Sequence, residues 1–134
     1  MSERLAAAGF DASQPAFFVW LGVVPYLSRD AIEASLAFVA SIPGSEIVFD
    51  YSQAPERYPP EQRKLVMALA ERVAALGEPF RSHFDPPDMA ALLKSKGLGE
   101  IEDLGPSEFG ARFLGKRVRP GRAGGHVVRA RRPI

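Results

Sequence analysis

Residues 15–51, PAFFVWLGVVPYLSRDAIEASLAFVASIPGSEIVFDY, hold two apolar runs separated by a helical pattern. The first run, PAFFVWLG, is short, aromatic and bounded by Pro15 and Gly22, which reads as a buried strand with both faces covered. At Ser28 the period changes. Ser28 is a good N-cap, Asp30 and Glu33 stand in a first turn where the helix dipole favours acids, and Ile32, Leu36 and Val39 recur on one face. An amphipathic helix to about Ile42 follows. Pro43, Gly44 and Ser45 break it, and EIVFDY (46–51) has the β-branched and aromatic content of a second strand.

The same pattern extends in both directions. Upstream, SERLAAAG is the end of an alanine-rich helix that Gly9 stops. Downstream, the prolines of SQAPERYPP prevent regular pairing, and a long helix then starts at Pro60, carries Leu65, Leu69, Val73 and Leu76 on one stripe, and ends at Gly77. After EPFRSHF, Asp85 caps a further helix with Pro86 at its first position, Asp88 at its third, and Met89, Leu92 and Leu93 on its apolar side, until Gly97 stops it. LGEIEDLG and GHVVRARR are strand candidates, the second alternating Val128 and Ala130 against Arg129 and Arg131 as a strand with one wet face would, and PSEFGARFL between them is a short helix. Strands alternating with helices predict an α/β fold, a sheet with helices packed on its faces.

Composition bounds the function. The chain has 134 residues, 46% of them hydrophobic and 25% charged, with a net charge of +1, the profile of one globular domain spanning 1–134. Cysteine is absent, which removes disulfides, thiolate metal ligands and a cysteine nucleophile together. No apolar stretch approaches the roughly 20 residues of a membrane span, and MSERLAAAGF lacks a signal-peptide layout, so the expectation is a cytoplasmic protein without membrane contact. Past Glu108 no acid follows, whereas Arg112, Lys116, Arg117, Arg119, Arg122, Arg129, Arg131 and Arg132 do, making 116–134 a basic segment that ends in the last strand. Phe113 is the one aromatic from Arg112 onward, and glycine and proline break any basic helix, so a solvated tail is favoured over a nucleic-acid surface.

Phosphate-binding glycine loops are missing: GRAGGH (121–126) precedes a strand instead of opening a helix, and reads as a mobile hairpin loop. His83 and His126 lie far apart without carboxylates at ligand spacing, which argues against a metal site or a Ser-His-Asp assembly. His83, beside Arg81 and Asp85, reads as solvent-facing or helix-capping before it reads as catalytic. Position says more. Ligands of open α/β sheets sit beyond the carboxyl ends of the strands, where Trp20, Gly22, Tyr26, Asp50 and Tyr51 fall. Trp20 and Tyr26 serve core packing or a pocket equally well, whereas Asp50, an acid closing an apolar strand, must find a partner or water.

GFDASQPAFFVWLGVVPYLSRDAIEASLAFVASIPGSEIVFDY, followed by LGEPFRSHFDPPDMAALLKSKGL and IEDLGPSEF, resembles the leucine carboxyl methyltransferase-like family of S-adenosylmethionine-dependent methyltransferases over roughly Leu5 to His126. The resemblance implies a Rossmann-like class I sheet in which AFFVWLG is the fourth strand, EIVFDY the fifth, IEDLG the sixth and HVVRAR an antiparallel seventh, slotted between fifth and sixth. It makes the chain the C-terminal half of such a domain, without the first three strands and the glycine loop that holds most of the cofactor. Carried over by position, Trp20, Leu21 and Gly22 would face the cofactor, with Leu21 where the family commonly has a glutamate. Tyr26, Asp50, Tyr51, Arg81 and Phe84 would face a small-molecule acceptor bearing a carboxylate or hydroxyl. No metal is implied. The competing expectation is a non-catalytic remnant or assembly module, because the fourth strand would be left with an apolar edge that a homodimer or a partner chain must cover. A nucleic-acid binder through the basic tail is the least favoured reading.

Overall fold

The computed structural model describes residues 2–116 and 123–133. In chain order the elements are α1 (Ser2–Ala7), β1 (Phe17–Trp20), α2 (Arg29–Ala40), β2 (Glu46–Ser52), α3 (Pro60–Ala75), α4 (Pro86–Ser95), β3 (Glu100–Leu104), α5 (Pro106–Leu114) and β4 (Gly125–Arg131). The strands form one sheet in the order β1-β2-β4-β3. β1 pairs parallel to β2 with Phe18 opposite Ile47, and β4 runs antiparallel to both neighbours, with Val128 opposite Phe49 on one side and Asp103 on the other. This is the partial Rossmann-like arrangement the resemblance implied, down to the reversed last strand between its neighbours.

Strand parity decides which face is dry. Ile47, Phe49 and Tyr51 of β2, with Val128 and Ala130 of β4, form one face and are buried with Ile32, Leu36 and Val39 of α2 and Met89, Leu92 and Leu93 of α4. Ser28 caps α2 as expected, accepting from the Ala31 N–H at 3.2 Å. Asp85 occupies the N-cap position of α4 but spends its carboxylate elsewhere, on Arg57 at 2.9 Å and the Gln53 amide at 3.3 Å. Buried Ser45 accepts from the Ala16 N–H at 2.9 Å, tying the start of β1 to that of β2.

The opposite face carries Arg129 against Glu46, Arg112 against Glu102, and Arg131 within 3.8 Å of Glu100. Two of the tail arginines are thus engaged inside the sheet; residues 117–122, with Arg117, Arg119 and Arg122 of the basic segment and part of GRAGGH, lie outside the described residues. Two expectations fail. β1 is covered on one face only, with Phe17 and Val19 62% and 61% exposed, because it is the sheet's edge and the helices over Phe18 and Trp20 leave its other side open. The leucine stripe of α3 is not a core face: no residue of α3 is buried, and Leu65, Leu69 and Leu76 point outward, since the proline-rich turn Pro55–Arg57 is what α3 mainly packs on.

Candidate functional site

The carboxyl end of the parallel pair β1–β2 is joined by one bond: the Gly22 N–H donates to Asp50 Oδ1 at 2.6 Å. Gly22 has φ +70°, a left-handed conformation that side chains resist, and a Cβ placed there would meet nothing within 4 Å. Asp50 therefore has the partner its position demands, and the space in front of Gly22 is open. Leu21 stands beside it, 57% exposed. Trp20 turns the other way, edge-on to Phe49 at 6.2 Å, and helps line a groove of about 110 Å³ with Phe18 and Phe38 beside α2. Its packing function is met whatever else it touches.

A second group gathers around the turn after β1. Pro25 lies in the 3-10 turn Val24–Tyr26, and its carbonyl accepts from the Arg81 N–H at 2.7 Å and the Ser82 N–H at 3.3 Å. That contact places the Tyr26 ring 5.5 Å from Phe80. Phe84 is buried, its N–H donates to Ser52 O at 3.1 Å, its ring stands edge-on to Tyr51, and the Arg29 guanidinium lies 5.2 Å over it. The arginine at 81 is exposed.

Asp50 and Tyr51 part company because successive strand residues point to opposite faces. Asp50 reaches the Gly22 rim, whereas Tyr51 is 1% exposed and donates its hydroxyl to Asp103 Oδ2 beneath the sheet. Burial first, and then the Asp103 carboxylate, hold the Tyr51 phenol above the ordinary tyrosine range. The second oxygen of Asp103 is 2.7 Å from His126 Nδ1, and His126, stacked on Tyr51 with centroids 5.0 Å apart, reaches Gln53 Oε1 with Nε2 at 3.2 Å. Gln53 also takes the Gly124 N–H at 3.1 Å. Gly124 must be glycine: a Cβ there would lie 2.7 Å from Pro106 Cγ.

The linked Tyr51, Asp103, His126 and Gln53 are what sequence reasoning missed. His126 is far from acids in sequence, yet Asp103 and His126 meet because β3 and β4 are adjacent. Parity was the available signal, since His126 shares the inward register of Val128 and Ala130, and Asp103 that of Ile101. Among the described residues no group of three or more histidine, cysteine, aspartate or glutamate side chains is placed to hold a metal ion, and no helix is long and apolar enough to cross a membrane.

The reversed strand between two neighbours, with a glycine-cornered rim at the parallel strand ends, defines a Rossmann-like methyltransferase-type sheet. S-Adenosylmethionine-dependent methyltransferase SibL, solved in its apo form, superposes on 99% of this chain and 40% of its own with a TM-score of 0.55 at 20% identity, a likeness of fold. The leucine carboxyl methyltransferase family profile matches residues 1–40. YktD of Bacillus subtilis, provisionally named an S-adenosyl-L-methionine-dependent methyltransferase, is 35% identical over 103 residues, covering 75% of this chain and 34% of YktD. A Mycolicibacterium smegmatis protein with the same provisional name is 39% identical over 84 residues, 60% of this chain and 24% of that protein. The chain is thus similar to the leucine carboxyl methyltransferase-like, S-adenosylmethionine-dependent methyltransferases, and it spans about a third or less of the length of these two curated relatives.

Proposed function

We propose that this chain is the C-terminal module of an S-adenosylmethionine-dependent methyltransferase acting on an oxygen of a small-molecule acceptor. The observation that carries the reading is the Gly22–Asp50 corner: a left-handed glycine with open space before it, at the carboxyl ends of the two parallel strands. That corner fits one wall of the cofactor, contributed by Trp20, Leu21 and Gly22. The cofactor, when bound, supplies an activated methyl group on a sulfonium.

The chain's own residues then have the work of alignment and of excluding water, which methyl transfer chiefly requires. Tyr26, Asp50 and Arg81 are proposed to border the acceptor, with Phe84 and, behind it, Tyr51 as the packed floor. The remaining walls of the cofactor site are proposed to come from a second copy or a partner chain that adds a strand along the open edge of β1. The exposure of Phe17 and Val19 there supports this.

The test is an amide NMR titration of the chain with S-adenosylmethionine, and separately with S-adenosylhomocysteine. Shifts at residues 20–22 and at Asp50 are expected with both compounds, at millimolar affinity for the chain alone. An absence of shifts at millimolar ligand, or shifts confined to other surfaces, overturns cofactor binding by these residues.

A further inference from the structure

Two clefts meet at His83, and they differ in chemistry. The first, about 260 Å³, is polar and bordered by Arg57, Asp85 and Asp88 as well as His83. The second, about 340 Å³, is mostly apolar and runs along α3 between Met67, Ala70 and Ala74 on one side, with Glu71 at its border, and Phe80 on the other, again reaching His83. Residues 67, 70 and 74 share one helix face. Two of the three are alanines, so the groove is hollow where larger side chains would fill it. Met67 is half exposed, and α3 buries none of its residues, so this face is covered only in part, by Pro55, Pro79 and Phe80 across the groove.

His83 joins the clefts with a polar atom in a costly place. Its Nδ1 is buried and has no hydrogen-bond partner, while the ring stands edge-on to Phe80 at 6.3 Å. The polar cleft is also electrically lopsided: Arg57 is paired with Asp85, whereas Glu56 and Asp88 also border the cleft with no cation of its lining to balance them. Such a cleft repels a carboxylate and accepts a hydroxyl.

We propose that the paired clefts bind an amphiphilic alcohol or phenol, its hydroxyl head in the polar cleft beside His83 and its apolar body along Met67–Ala74. Phe84 lines the polar cleft and is also the floor of the proposed acceptor border, so the assignment rests on the methyl-transfer reading insofar as it makes this molecule the acceptor, and it selects a hydroxyl over a carboxylate. The seven steps of helical rise from Met67 to Ala74 give the apolar body a length of about 10 Å.

The test titrates the full chain with 4-hexylphenol and 4-hexylbenzoate, two probes with the same tail and different heads, followed by amide NMR. The phenol is expected to shift residues 67, 70, 80 and 83 together, and the benzoate to bind about fivefold or more weakly. Ala70→Phe, which fills the groove from an exposed helix, is expected to weaken the phenol about tenfold with an unchanged circular dichroism spectrum. Asp88→Asn is expected to narrow the gap between the probes. Shifts that leave out His83, equal affinity for the two probes, or indifference to Ala70→Phe overturn the proposal. S-Adenosylmethionine is absent from these titrations, so their failure would leave the cofactor result standing, and failure of the cofactor titration would leave the amphiphile site standing without its role as acceptor.

Discussion

β4 and β1 are both neighbours of β2, and they live in different worlds. β4 is paired on both edges, buries Val128 and Ala130 completely, and at His126 carries a polar network closed on itself. β1 is paired on one edge, four residues long, and shows Phe17 and Val19 to solvent. The difference separates two uses of apolar residues in one sheet: those of β4 hold this chain together, whereas Phe17 and Val19 of β1 are left over after it has folded.

Substitutions can sharpen that contrast. Phe49→Ala, at the fully buried centre of β2, is expected to cost about 3–5 kcal/mol, whereas Phe17→Ala should stay within about 0.5 kcal/mol. Urea denaturation of the two variants checks the pair, and comparable losses would break the comparison. Next in size, Asp103→Ala strips partners from both Tyr51 and His126 and is expected to cost about 2–3 kcal/mol in the same assay.

A pH effect follows from Tyr51. Its ionisation is raised in the folded chain, so the unfolded chain gives up this proton first; the associated stability is complete below the ordinary tyrosine value of 10.0 and is lost as pH rises above it. The urea midpoint of the wild type should therefore fall as pH rises past 10.0, and Tyr51→Phe should flatten that fall even though it also loses the bond to Asp103. The smallest effect on stability comes with the largest on association. Phe17→Lys should leave the urea midpoint within about 0.5 kcal/mol of wild type and reduce the mass seen by light scattering at high concentration to that of the monomer. A wild-type chain already monomeric under those conditions would remove the proposed strand addition by a second copy.

Local signals carried most of the fold because they are local. Ser28 before Ile32, Leu36 and Val39, or Pro86 before Met89, marks a helix with no knowledge of what lies across the molecule, and the elements fall where those residues put them. Burial is a different matter. The leucines of α3 have helical spacing, yet spacing says only that they share a face, and here that face looks outward. β1 has the apolar run of an interior strand and sits at an edge, since its coverage depends on neighbours that its own residues do not encode.

The site divides along the same line. The Gly22–Asp50 corner was legible because glycine and acid each stand at a strand end, where position alone gives meaning. The bonds among Tyr51, Asp103 and His126 were not, because they span 52 and 23 residues of sequence and exist only once β3 and β4 are in register. His83 was readable as a loop histidine, but not as the point where a polar and an apolar cleft meet.

The reversed seventh strand has a kinetic consequence. β2 and β3 share no ladder; β4 alone links them, and its register sets Glu46 and Glu100 against the same Arg131. Until Gly125–Arg131 inserts, the β1–β2 pair and the β3 strand are two separate lobes, and the insertion must close a loop reaching back to Glu46. Closure over such a span is slow compared with helix formation. During that interval β1, β2 and β3 offer four unpaired strand edges instead of the two that remain in the finished sheet, so the rate at which β4 arrives governs how long nascent molecules remain open to pairing with one another.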